Sequence, residues 1–209
     1  MTVWNYEKSA ELYGIERWGN PYFGINEKGH VTVAVGGFSC DGGAGAPTRV
    51  DLQEIVESLV ERGIELPILL RFDGILRSRA NEIQRAFDNA IREFNYGASY
   101  RLVYPIKVNQ QRHVVDVIRE AGRNFQIGLE VGSKPEMLAV LAIHDGPDAL
   151  LVCNGYKDEG YVELALLSRK LGRRPIIVIE QPQELDIVLE VSARLGIEAE
   201  VGIRFKPLT

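Results

Sequence analysis

The sequence predicts an α/β chain in which an incomplete parallel (β/α)8 barrel of the TIM type, with about six strands, follows a short amino-terminal extension. Three observations predict it. From Val50 onward, short and nearly all-apolar runs alternate with amphipathic helical stretches, as strands covered by helices require. Nothing in the pattern marks a reversal of strand direction. Successive runs also end at polar residues: Arg71, Lys107, Glu130, Asn154, Glu180 and Arg204. In a barrel of this type the carboxyl ends of the strands converge on one site. An open doubly wound sheet fits the same periodicity, and the succession of polar strand ends is what favours the barrel.

Residues 1–50 form the extension, rich in glycine and aromatics (Tyr13, Trp18, Tyr22, Phe23, Phe38) with one strand-like alternation from His30 to Val35. Its glycine-rich stretch, Gly36 to Gly45, lacks the Gly-Lys-Ser/Thr ending of a nucleotide-binding P-loop and reads as a loop. Residues 51–209 carry the partial barrel. Leu52, Ile55, Val56, Leu59 and Val60 share one helical face. Pro67 to Phe72 is the expected first strand, and Ile83, Phe87, Ala90, Ile91 and Phe94 mark the next helix. Leu102 to Ile106 is the second strand despite Pro105, and Val114 to Ala121 is helical. Ile127 to Val131 is the third strand, before a helix over Pro135 to Ile143 with proline in its first turn. Ala149 to Cys153 and Ile176 to Ile179 are the fourth and fifth strands, separated by a helix over Glu159 to Leu171. A helix through Leu185, Val188, Leu189, Ser192 and Leu195 leads to the sixth strand at Val201 to Ile203.

Composition excludes several classes of function. The chain is 45% hydrophobic and 25% charged, ordinary for a soluble globular protein. Its 24 basic and 29 acidic residues leave a net charge of -5, so neither nucleic acid nor an anionic membrane is an expected partner. The amino terminus is polar without a signal core, and no apolar run nears the roughly 20 residues that span a bilayer. The expected location is cytoplasmic. Cys40 and Cys153 are far apart and lack metal-type spacing, so neither a disulfide framework nor a metal site is expected. His30 and His144 read as surface or turn residues, and His113 as the start of a helix.

Lys107 follows the apolar run Val103-Tyr104-Pro105-Ile106. An isolated lysine there commonly reaches into solvent. A lysine desolvated at a strand end instead has its pKa lowered, which frees a neutral amine for Schiff-base chemistry. Composition leaves both readings open.

The segment Tyr104-Pro105-Ile106-Lys107-Val108-Asn109 resembles the motif that carries the pyridoxal-phosphate (PLP) lysine in fold-type III decarboxylases and racemases, the alanine racemase-like barrels. Further motifs follow at Gly128 to Glu136 and at Val152-Cys153-Asn154-Gly155-Tyr156-Lys157-Asp158. Earlier ones stand at Tyr13-Gly14-Ile15, Trp18-Gly19-Asn20, Tyr22-Phe23 and Ile25 to Gly29. This ordered set, from about Trp4 to Ile203, resembles biosynthetic arginine decarboxylases rather than ornithine or diaminopimelate decarboxylases.

The resemblance implies decarboxylation of L-arginine to agmatine and carbon dioxide, feeding polyamine and spermidine synthesis, with PLP as cofactor and magnesium by family association. It implies that Lys107 carries the cofactor, with Glu130 the acidic residue near it and Arg204 an arginine close to its ring. Asn154 and Glu136 are weaker candidates. Glu130 and Arg204 are equally compatible with solvated strand ends. Homo-oligomers are implied by the family. So is a continuation through further barrel strands, a glycine-rich phosphate loop and a carboxyl-terminal β domain. The ending Arg204 to Thr209 departs from the usual continuation after the sixth strand. The chain is therefore expected to be an amino-terminal part, inactive alone. The rival expectations are a catalytically inactive gene remnant and a barrel-only PLP-binding protein.

Overall fold

The structure, a computed structural model, describes residues 4–35, 48–143, 146, 149–205 and 207. The glycine-rich stretch of 36–45, Cys40 and His144 lie outside the described residues. The chain divides into two compact units, Met1–Arg79 and Ala80–Thr209.

In the first unit, helices α1 (Tyr6–Leu12) and α2 (Ile15–Gly19) precede an antiparallel sheet of β1 (Phe23–Ile25), β2 (Val31–Val35) and β3 (Thr48–Asp51). Helix α3 (Leu52–Glu61) then follows. Val33 pairs with Phe23 on one side and Val50 on the other, and it is fully buried. Of these strands only β2 was legible as alternation. Phe-Gly-Ile and Thr-Arg-Val-Asp are too short and too mixed to show a period.

Asp51 ends β3 and starts α3. Its Oδ1 accepts from the Gln53 and Glu54 N–H groups at 2.9 and 3.3 Å, filling the first-turn donors of the helix. Its Oδ2 accepts from Asn26 Nδ2 at 2.7 Å and lies 2.8 Å from His30 Nδ1. His30, expected as a surface or turn residue, closes the turn between β1 and β2 and is also tied to this carboxylate. Burial opposes the charge of Asp51, but the bonds from His30, Asn26 and the backbone outweigh it and hold the carboxyl below its ordinary range.

Pro67 to Phe72, the expected first strand, is not one. Leu69 is 75% exposed, and none of the described strands pairs with the segment. An apolar run reports a tendency to be buried, while a strand also needs a ladder partner for its backbone groups. Arg71 is consequently not a strand end. The run leads into helix α4 (Asp73–Glu93).

The second unit holds a parallel sheet in the order β4 (Val103–Pro105), β5 (Gly128–Val131), β6 (Leu150–Cys153), β7 (Arg174–Ile179) and β8 (Glu200–Ile203). Between them run α5 (Arg112–Ala121), α6 (Lys134–Ile143), α7 (Glu159–Ser168) and α8 (Pro182–Leu195). Among the described residues, then, the parallel sheet has five strands rather than the expected six. Every neighbouring pair is parallel, and spatial order follows chain order without a reversal. A doubly wound sheet requires a switch in strand order, so that alternative falls and the barrel-type progression stands.

Alternation within the strands separates two faces. Leu129, Val131, Leu151, Cys153 and Ile177 are fully buried against Met137, Val140, Tyr161, Val162, Leu166 and Val188 of the helices. Each such aliphatic side chain contributes about 1.5–3 kcal/mol on burial. Glu130, Val152, Ile176 and Val178 alternate with them and project from the other face.

Candidate active site

Each strand of the second unit delivers one side chain to the same rim. β4 ends at Pro105 and runs into a single 3-10 turn, Ile106–Val108. Ile106, 3% exposed, anchors that turn in the core, and the Tyr104 hydroxyl donates to Asn109 O at 3.1 Å. With its neighbour pinned inward, Lys107 projects out of the turn and is exposed. Glu130, next to last in β5, faces away from Leu129 and Val131 and is only 8% exposed.

Beyond β5 the chain turns at Gly132 and Ser133 into α6. Glu136 Oε2 accepts from the Gly132 N–H at 2.6 Å, and the Glu136 N–H donates to Ser133 Oγ at 3.4 Å. These two bonds tie Glu136 to the start of α6, which gives it a structural task. Beyond β6, Gly155 sits at φ +78°, where a Cβ would overlap Gly132 O. Only glycine lets the loops after β5 and β6 approach so closely. The buried Tyr161 hydroxyl donates to Asn154 O at 2.9 Å and lies 3.2 Å from Val131 O, joining the same two strand ends.

Glu180 follows β7, and Arg204 follows β8. The Arg204 N–H continues the ladder to Ile179 O at 2.9 Å, and Arg204 Nη1 donates to Glu180 Oε1 at 3.0 Å. Burial works against ionisation of Glu180. The bond and charge of Arg204, the Lys157 charge and the Gly155 N–H outweigh it and hold the carboxyl below its ordinary value.

A cavity of about 860 Å³ opens on this rim, lined among others by Lys107, Glu130, Glu136, Asn154, Glu180 and Arg204. Lys107, Glu130 and Arg204, the residues singled out in the sequence, therefore share one cavity, and so do Asn154 and Glu136. Sequence reading missed Glu184, which also lines it, and Lys157 just behind. Glu184 had a signal, as the fourth residue of Gln181-Pro182-Gln183-Glu184 at a helix start. Lys157 had none, because nothing in a sequence announces that a lysine is fully buried. Cys153 lies beneath the rim, and burial pushes its thiol up to about 12, so it stays protonated and unreactive.

The chemistry of the donor set bears on which group the cavity suits. An exposed primary amine, a buried carboxylate and a guanidinium pinned by a second carboxylate fit the reactive aldehyde and ring of PLP. Four glutamates on the wall (130, 136, 180 and 184) against Lys107 and Arg204 do not make a cradle for its phosphate. Among the described residues, no group of three histidine, cysteine or carboxylate side chains is placed to hold a metal ion. No helix among them is long and apolar enough to cross a membrane.

Residues 80–208 match the family described as "Pyridoxal-dependent decarboxylase, pyridoxal binding domain". Biosynthetic arginine decarboxylases from Thermosynechococcus vestitus and Synechococcus sp. are 49% and 47% identical to the chain, each over 203 residues and 97% of its length. The one from Phocaeicola vulgatus is 45% identical over 206 residues and 99% of the chain. The chain spans 31% of the length of each of these relatives. The crystal structure of the biosynthetic arginine decarboxylase of Campylobacter jejuni superposes with a TM-score of 0.75 at 29% identity, over 91% of this chain and 30% of that one. The resemblance carried by the motifs thus extends to sequence and fold together, and the chain belongs to the pyridoxal-binding domain family of the pyridoxal-dependent decarboxylases.

Proposed function

We propose that this chain supplies the lysine-bearing part of an arginine decarboxylase, which converts L-arginine to agmatine and carbon dioxide for polyamine and spermidine synthesis. The observation that supports this most is the placement of Lys107. It projects from a strand-end turn into the cavity shared with Glu130 and Arg204, in a chain 45–49% identical to arginine decarboxylases. Lys107 would hold PLP through its side-chain amine. Glu130 and Arg204 would stand beside it on the cavity wall, with Arg204 kept in position by Glu180. PLP supplies the electron sink for loss of the carboxylate, and the surrounding residues orient the substrate and keep water out.

In this reading residues 51–209 are the partial PLP-binding barrel and residues 1–50 its extension. The assembly is a cytoplasmic homo-oligomer, and magnesium enters only by family association. Residues 1–209 carry part of the activity rather than the whole, in keeping with the 31% of the relatives' length that they span. Borohydride reduction of the complete polypeptide with PLP, followed by peptide mass spectrometry, tests the assignment. The expected result is a pyridoxyl group on the Lys107 peptide, with agmatine formation lost in Lys107→Ala. A label on another lysine, with Lys107 unmodified, would sink it.

A further inference from the structure

We propose that the buried Lys157–Glu184 pair is a positioning device for this cavity, fixing the loops after β6 and β7 so that Glu180, and through it Arg204, keeps its place on the wall. The proposal rests on the reading of the cavity as a PLP site.

Lys157 is fully buried and Glu184 nearly so, with Nζ 3.5 Å from Oε2. Lys157 Nζ also donates to Gly155 O at 2.5 Å. The same Glu184 oxygen accepts from the Glu180 N–H at 2.8 Å and the Gln181 N–H at 3.2 Å. These contacts link two loops: Lys157 holds the Gly155 carbonyl after β6, Glu184 holds the Glu180 and Gln181 N–H groups after β7, and the two side chains pair between them. Glu180, whose backbone Glu184 holds, keeps Arg204 at 3.0 Å on the cavity wall.

Stability does not explain the buried pair. Burying an ammonium and a carboxylate is costly, and an apolar pair of similar volume commonly serves the fold as well or better. Glu184 alone would cap α8, as Glu136 caps α6 without a buried lysine. What Lys157 adds is a grip on the Gly155 carbonyl that ties the loop after β6 to Glu184, and through it to the backbone of Glu180. Lys157 itself is shut away from the cavity and is not a competing amine for the cofactor.

The test uses the complete polypeptide with three variants: Lys157→Met, Glu184→Gln and the double variant. Three properties are read in each: the melting temperature, the amide exchange of Glu180 and Gln181, and the dissociation constant for PLP. Lys157→Met strands a buried carboxylate and should lose stability together with affinity. The double variant has no stranded charge, so its melting temperature should return toward wild type. It still lacks the grip on Gly155, so its PLP dissociation constant should stay raised by about tenfold or more and its exchange should stay faster. Glu184→Gln keeps the acceptor, the volume and the Lys157 grip on Gly155, so its PLP dissociation constant should stay closer to wild type than that of the double variant. Recovery of affinity together with stability in the double variant would show a merely structural pair and overturn the proposal. A wild-type protein that binds no PLP would sink the proposed function instead. The exchange rates at Glu180 and Gln181 would then still decide whether the pair holds the loop, and unchanged rates in the variants would overturn it.

Discussion

Gly155→Ala should be much more damaging than Gly172→Ala, although the two glycines have nearly the same backbone. Gly155 lies at φ +78° and Gly172 at φ +74°. Placing a Cβ in the left-handed region costs about 1–2 kcal/mol at either site, of which the stiffer unfolded chain returns about 0.4–1 kcal/mol. A Cβ added at Gly172 would have nothing within 4 Å, whereas at Gly155 it would overlap Gly132 O and sit 2.9 Å from Gly132 C. Relieving that overlap means moving backbone rather than a flexible side chain, for which overpacking costs of about 1–3 kcal/mol are typical. The two variants should therefore differ by about 1–3 kcal/mol, or roughly 2–12 °C in melting temperature for a chain of this size. Thermal unfolding followed by circular dichroism reads the difference directly. Because the displaced backbone borders the cavity, PLP affinity should fall in Gly155→Ala and stay unchanged in Gly172→Ala. Equal melting temperatures in the two variants would refute the close approach of the loops after β5 and β6.

Tyr161→Phe keeps the buried ring but takes the hydroxyl donor from Asn154 O, and should cost about 1–3 kcal/mol in a denaturant titration. Cys153 is buried with its thiol pushed up to about 12, so iodoacetamide should leave it unlabelled in the native chain at neutral pH and alkylate it after unfolding, as peptide mapping would show. Asp51, Asp158 and Glu180 are all held below their ordinary values. For Asp51 and Glu180 this happens against the effect of burial; for Asp158 it comes from its bond to Lys134. Each thus stabilises the fold above the unfolded carboxylate range of about 4 and loses that contribution as pH falls through its depressed folded value. The melting temperature should stay level from pH 7 to about 5 and drop below about 4.

The parallel sheet was legible because its strands are short apolar runs spaced by helices, and Leu129, Leu151 and Ile177 behave as that pattern requires. The same reasoning failed at Pro67 to Phe72, since apolar content says nothing about whether a neighbouring strand is there to pair. It also passed over β1 and β3, whose Gly24 and Arg49 interrupt any alternation. At the site, polarity at strand ends was enough to gather Lys107, Glu130, Asn154, Glu180 and Arg204. It was not enough to tell a residue that faces the cavity from one that serves the backbone. Glu136 belongs to the second kind as a helix cap, and Lys157 and Glu184 form a buried pair that depends on tertiary placement alone.

That distinction explains what the cavity can hold. The first turn of a helix is a ready site for a phosphate, because its N–H groups point outward without partners. Here the starts of the helices after β5, β6 and β7 are already occupied by their own carboxylates. Glu136 takes the Gly132 N–H, Asp158 the Tyr161 N–H, and Glu184 the N–H groups of Glu180 and Gln181. A phosphate brought to any of these three helix starts would meet a carboxylate already seated. The carboxylates on the cavity wall also outnumber Lys107 and Arg204, which disfavours a dianion. The described residues thus suit the aldehyde and ring of PLP and repel its phosphate. The lysine proposed to anchor the cofactor and the donors that would cradle its phosphate are separate pieces of chemistry, and the rim built by β4 to β8 offers the first.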